Sequence, residues 1–270
     1  HESRRLIVYA PGNLKQKYPL ILVFDGESLF ETTVAAVKFM NYSSEIPQMP
    51  EAVIVGVTNT ERDRDMPVPQ QYGITNGEKN FMNFIKQELI PWVKKKYPLN
   101  GHTVAVGHSQ GALFVSYLMA EAPETVSWAI ALDGPMNMDQ KTNRVKEKLA
   151  ASINEQNIKS RYASIESVFG WGNEWDNSMT IKGKAMQVKL PSETHESMSF
   201  KGVYEGLRFL FKDFAPARKD LSLSLLKEYY KSVSEKYGYP YEIPLRVLTA
   251  SASRKIIEER KDEILDLVNY

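Results

Sequence analysis

Residues 103–114 read Thr103-Val104-Ala105-Val106-Gly107-His108-Ser109-Gln110-Gly111-Ala112-Leu113-Phe114. The apolar run Val104–Val106 predicts a buried strand. Gln110 to Glu121 predicts a helix with Ala112, Leu113, Tyr117 and Leu118 on its inward face. Between the two stands Gly-x-Ser-x-Gly, which at a strand-to-helix turn is the signature of a nucleophile elbow. Such a turn is too tight for side chains two positions either side of the serine, so positions 107 and 111 need glycine. It holds Ser109 on a strained tip above the carboxyl edge of a sheet. The backbone N–H of Gln110, at a helix N-terminus, is then available to an oxyanion. The pattern is short and also arises in ordinary loops. The strand before it and the helix after it make it informative.

Outward from this stretch, other apolar runs repeat the strand. Leu6–Ala10 is stopped by Pro11-Gly12, and Tyr18–Phe24, Ala52–Val57 and Ala129–Leu132 follow the same pattern. Continuous rather than alternating apolar strands are what a parallel sheet covered on both faces requires. Helical patterns lie between them: Glu78 to Lys96, which Pro91 should kink or split, then Gln140 to Ala151, then Ser199 to Phe214. Tyr162–Phe169 and Ala185–Leu190 read as the last two strands. The alternation predicts an α/β fold with a mostly parallel central sheet and helices on both faces. Ala215-Pro216-Ala217 marks a boundary, giving a body over 1–214 and a helical extension over 215–270. Within the extension, Leu221 to Tyr237 and Ser253 to Val268 read as the arms of a hairpin, with Gly238 to Pro244 as its turn.

Composition narrows the chemistry. The 270 residues carry a formal net charge of +1 and no cysteine. No overall field favours nucleic acid or an anionic membrane, and thiol nucleophiles, disulfides and zinc–thiolate sites are excluded. No apolar stretch approaches transmembrane length. A chain that opens at His1 rather than methionine is compatible with a removed signal peptide or with trimming, so compartment stays open. The expected partner is a small-molecule ester, with no cofactor, no metal, no nucleic acid and no membrane.

A serine hydroxyl needs a base within hydrogen-bond reach. Of His1, His102, His108 and His195, only His195 follows Ser109, as the order serine, acid, histidine requires. His108 reads as a packed neighbour of the nucleophile and His102 as a surface position before the strand. The acid is ambiguous. Glu174 and Asp176, in Gly172-Asn173-Glu174-Trp175-Asp176, follow the expected strand, and Glu174 is favoured because it lies nearer the strand end. Asp133, at the end of the Ala129 strand, is the alternative, and a Ser–His dyad without acid is a further one. The second oxyanion donor should come from the turn Asp25-Gly26-Glu27, through the N–H of Glu27. Arg62 and Arg64 sit on a loop at the same sheet edge. They read either as an internal ion pair or as contacts for an acidic or phenolic substrate. Trp171 and Trp175 read as aromatic pocket walls or as core.

With these residues placed, the chain resembles the esterase D / enterochelin-esterase-like branch of the α/β-hydrolases, in particular IroE-like siderophore esterases. The matching stretches are Glu2–Pro11, Tyr18–Glu27, Ile54–Asp65, Gly107–Gly111, Pro191–Ser197 and Gly202–Phe211. The resemblance implies carboxylic-ester hydrolysis without cofactor, with Ser109 as nucleophile and His195 as base. It implies a polar or aromatic ester, either a siderophore lactone or an acylated carbohydrate. The segment from Gly172 to His195 is shorter than the family pattern, so the resemblance does not transfer the acid. Two other classes remain open on sequence: a non-catalytic binding protein on a hydrolase fold, and an acyltransferase.

Overall fold

The structure is a computed structural model. It describes every residue except 1, 14, 67–75, 136–139, 154–158, 169–183, 218–220 and 258–259. Seven strands form one sheet: β1 (Leu6–Tyr9), β2 (Tyr18–Phe24), β3 (Val53–Val57), β4 (Leu99–His108), β5 (Trp128–Leu132), β6 (Arg161–Ser167) and β7 (Ala185–Leu190). Their spatial order is β1-β3-β2-β4-β5-β6-β7. Only β1 is antiparallel, paired with β3 at the edge; every other pairing is parallel. Strands β2 to β5 are buried along almost their whole length, as continuous apolar runs require.

Successive side chains on each strand point to opposite faces, so one sheet feeds two cores. On the first face, Ile21, Val23, Ile54, Val104, Val106, Ile130 and Ile165 pack with α1 (Gly26–Tyr42) and α7 (Ser199–Leu210). On the second, Leu20, Leu22, Phe24, Val55, Ala105 and Ala129 pack with α3 (Asn76–Phe84), α4 (Ile90–Lys96), α5 (Gln110–Glu121) and α6 (Gln140–Ser152). Helix α2 is a single turn, Arg62–Asp65. The predicted helix at 78–96 is indeed split: a π turn at Ile85–Leu89 joins α3 to α4, directly upstream of Pro91. Pro91 has no N–H to give a preceding carbonyl and crowds that turn, and the wider π turn absorbs the misfit.

The extension differs from a two-arm hairpin. It holds α8 (Leu223–Tyr237), α9 (Leu245–Ile257) and α10 (Lys261–Val268), so the second arm starts eight residues earlier than its apolar pattern suggests and is divided. Leu226, Tyr230, Val233, Tyr237, Val247 and Leu248 belong to the same core cluster as α1 and α7. The extension therefore packs on the body, and it covers the amino edge of the sheet. There the expectation for His102 fails. Its side chain is fully buried, stacked on Tyr239 at 4.6 Å, edge-on to Trp128 at 4.1 Å, with Nδ1 2.5 Å from the Tyr241 hydroxyl. Among the described residues no helix is long and apolar enough to cross a membrane.

Candidate active site

The strand order reverses between β2 and β4, because the chain goes from β2 to β3 on one side and returns to β4 on the other. The crevice at the carboxyl ends of the strands flanking such a reversal is where ligands bind in open α/β sheets. Both predicted oxyanion turns lie there: Asp25-Gly26-Glu27 after β2 and the Ser109 elbow after β4.

Among the described residues three non-glycine positions have positive φ: Asp25 (53°), Ser109 (58°) and Asp133 (49°). Each directly follows a parallel strand, and each such conformation costs about 1–3 kcal/mol. Strain of this kind persists only where surrounding structure enforces it. At Ser109 the enforcement is visible. Its N–H donates to Leu132 O at 2.9 Å, and its own carbonyl accepts from the N–H groups of Ala112 and Leu113, leaving the first-turn N–H groups of Gln110 and Gly111 without a helical acceptor. A Cβ on Gly107 would lie 2.2 Å from the Gly111 carbonyl oxygen, and a Cβ on Gly111 would lie 2.8 Å from Asp25 Oδ2. Both glycines are thus required by close approach. The α1 turn repeats the device, with the N–H groups of Ser28 and Leu29 returning to Asp25 O and the N–H of Glu27 in the unpaired first turn.

His195 sits in the loop after β7. That loop is tied by reciprocal bonds, Thr194 N–H to Ser197 Oγ at 2.9 Å and Ser197 N–H to Thr194 Oγ1 at 3.2 Å. Its Nδ1 lies 2.7 Å from Asp133 Oδ2. The Asp133 carboxylate is only 1% exposed, and Ser167 at the end of β6 donates to it twice, from N–H at 3.1 Å and from Oγ at 2.8 Å. A carboxylate so held offers an acceptor to a proton on Nδ1 and fixes the orientation of the imidazole. His108 braces the other side. Its ring lies 4.4 Å from the His195 ring, and its Nε2–H donates to the His195 carbonyl at 2.7 Å. Burial, and then the neighbouring His195, hold the His108 pKa below the usual histidine value. The neutral Nε2–H form is the one this bond needs.

The model of the Esterase family ("Putative esterase") matches residues 1–198. The chain belongs to this family. A curated relative, the ferri-bacillibactin esterase BesA of Bacillus subtilis (strain 168), is 26% identical over 180 residues, a match covering 53% of this chain and 62% of that protein. Among solved structures, an IroE-like serine hydrolase from Shewanella oneidensis superposes with a TM-score of 0.79 at 23% identity, covering 98% of this chain and 93% of that one. The enterobactin esterase FES from Shigella flexneri matches with a TM-score of 0.58 at 20% identity, over 79% of this chain and 56% of that one. The family match bears out the resemblance to enterochelin-esterase-like proteins, and the superpositions bear out the α/β-hydrolase fold.

Within this Esterase-family chain, the structure brings Ser109, Gln110, Glu27, His195 and Asp133 to one sheet edge. Glu174, Asp176, Trp171 and Trp175 lie outside the described residues; Asp133, the alternative acid, is hydrogen-bonded to His195. Of the two readings for Arg62 and Arg64, internal ion pair or substrate contact, the structure shows both residues in ion pairs. Arg62 binds Asp25, and Arg64 binds Asp65 and Glu2. The cause is local: the loop brings their guanidinium groups against carboxylates of the chain itself, and Asp25 and Asp65 are buried and need a counter-charge. Sequence reading missed the Asp25 carboxylate, Asn59 and Ser167. One signal for Asp133 was present. Leu132-Asp133-Gly134 repeats Phe24-Asp25-Gly26, an aspartate before glycine at the end of a buried strand, where aspartate tolerates the left-handed region.

Proposed function

We propose that the chain is a serine carboxylic-ester hydrolase working through Ser109, His195 and Asp133. The observation that carries the reading is the Asp133–His195 pair, 2.7 Å apart, braced by His108 beside a serine held at φ 58°. His195 Nδ1 donates to Asp133, which leaves Nε2 to take the proton of Ser109 Oγ as the oxygen attacks the ester carbonyl. The tetrahedral oxyanion rests on the N–H groups of Gln110 and Glu27. Collapse expels the alcohol, which takes the proton from His195. Water, deprotonated by the same nitrogen, then releases the acid and restores the serine. Asp133 stabilises the imidazolium formed at each stage without itself taking a proton.

For substrate, the reading is a polar ester of the siderophore-lactone type. The names of relatives that act on ferri-bacillibactin and enterobactin support it. The test is Ser109→Ala with a hydrolysis panel of catecholate trilactones, feruloyl and acetyl sugars, and aryl esters of increasing chain length. Loss of turnover by about 10⁶-fold, with loss of organophosphonate labelling, is expected. Retained turnover in this variant overturns the mechanism. An optimum on acylated sugars or on long acyl chains overturns the substrate class.

A further inference from the structure

We infer that Arg62 is a positioning residue of the oxyanion hole, locking its two turns together and cancelling a carboxylate charge that lies beside them. The inference rests on the serine-hydrolase reading and adds a role for residues outside the triad. Four of the five N–H bonds of the Arg62 guanidinium point into the fold. Nε donates to Asp25 Oδ1 at 2.7 Å, and Nη2 donates to Asp25 Oδ2 at 2.9 Å and to His108 O at 3.3 Å. Nη1 donates to Gln110 Oε1. One planar group therefore ties the turn after β2 to both neighbours of Ser109. The Gln110 amide is held at its other end too, with Nε2 donating to Asp63 Oδ1 at 2.9 Å. Asn59 completes the clamp, its Nδ2 reaching Asp25 Oδ1 at 2.7 Å and Glu27 Oε1 at 2.8 Å.

The arrangement has an electrostatic cost that the charge of the arginine offsets. Asp25 is 6% exposed, and its carboxylate faces the elbow at Gly111, where an added Cβ would lie 2.8 Å from Oδ2, one residue along the sequence from the Gln110 donor; Asp25 itself is two residues from the Glu27 donor. A bare negative charge there would oppose the oxyanion that the two N–H groups are placed to receive. The bidentate pair neutralises it, and the rigid fork fixes the spacing of the donors in a way that lysine cannot reproduce.

The test is steady-state kinetics on an aryl ester for Arg62→Gln, Arg62→Lys, Asp25→Asn and the double variant Asp25→Asn/Arg62→Gln, with Ser109→Ala as the blank. Arg62→Gln should lower kcat by roughly 100-fold, the size of losing one oxyanion donor, with KM within about threefold. Affinity for a boronic-acid transition-state analogue should fall by a similar factor. Arg62→Lys should sit between wild type and Arg62→Gln. The double variant should recover at least tenfold over Arg62→Gln, because it removes the stranded charge; a merely structural contact would make the double worse. A rise in KM at constant kcat would make Arg62 a substrate contact and overturn the inference, as would a double variant no faster than Arg62→Gln. If Arg62→Gln does not fold, Arg62→Lys and Asp25→Asn carry the same comparison: unchanged kcat and analogue affinity in both would overturn it. Activity in Ser109→Ala would instead overturn the hydrolase mechanism itself.

Discussion

Strand β4 carries two histidines, one in its amino half and one at its carboxyl end, and the two are put to opposite uses. In the amino half, His102 is sealed among Tyr239, Trp128 and Tyr241, and its Nε2 has no hydrogen-bond partner among the described residues. At the carboxyl end, His108 spends its Nε2–H on the backbone of His195 and stands next to Ser109, the proposed nucleophile. Burial depresses the pKa of both, so neutral imidazole is the working form in each. The surroundings differ. The amino edge is built from aromatic rings and one buried arginine, Arg161, which lies 4.4 Å from the Tyr237 ring. The carboxyl edge holds all three strained non-glycine residues and a set of paired carboxylates. One edge is spent on stability and the other on chemistry.

The sharpest way to break this contrast is Asp133→Asn. An amide keeps the shape and tolerates the left-handed backbone, but it does not hold the imidazole tautomer. A loss of about 10³–10⁴-fold in kcat is expected, with the fold intact by circular dichroism. A loss below tenfold would mean that a dyad, or a carboxylate after β6, serves instead. At the other edge, Tyr241→Phe removes the hydroxyl that meets His102 Nδ1. It should reduce stability by about 1–3 kcal/mol in urea unfolding while kcat stays within twofold. An equal loss of activity would show that the two edges are coupled.

The smallest effect concerns pH. The folded-state pKa of His102 lies well below 6.5, so below about pH 6.5 the unfolded chain binds a proton that the native protein does not. Stability is fully present above that value. It falls with acidification at ~1.4 kcal/mol per pH unit until the folded pKa is reached. In His102→Phe that proton's share of the slope between pH 6.5 and 5 should vanish. An unchanged slope would assign the acid sensitivity to other groups, His108 among them.

The parallel strands were legible because burial on both faces leaves a continuous apolar run, and the elbow was legible because tight approach leaves only glycine at 107 and 111. Helix α1 was not. It opens without a capping side chain, because the Asp25 carboxylate is engaged by Arg62 and Asn59, and its early Thr32-Thr33-Val34 run has β-branched character. The expected acid rested on strand order alone, which points after β6. Asp133, the alternative that is bonded to His195, follows β5, and its left-handed backbone and the two bonds from Ser167 mark it. The surface reading of His102 failed for a different reason. Its cover, Tyr239 and Tyr241, comes from Gly238 to Pro244, which the sequence marks only as the turn of a helical hairpin.

That cover has a consequence for how the chain is made. His102 and Tyr241 are 139 residues apart in sequence, yet they close one hydrogen bond. During synthesis the sheet, the elbow and α7 all emerge before the residues that seal the amino edge. Until position 241 has left the ribosome, Trp128, Phe211 and His102 lack the cover that Tyr239 and Tyr241 give them in the native fold. The last contacts to form are therefore long-range ones, which are slow because loop closure must precede any gain from packing. Apolar surface left uncovered on a nascent chain is what chaperones and aggregation act on.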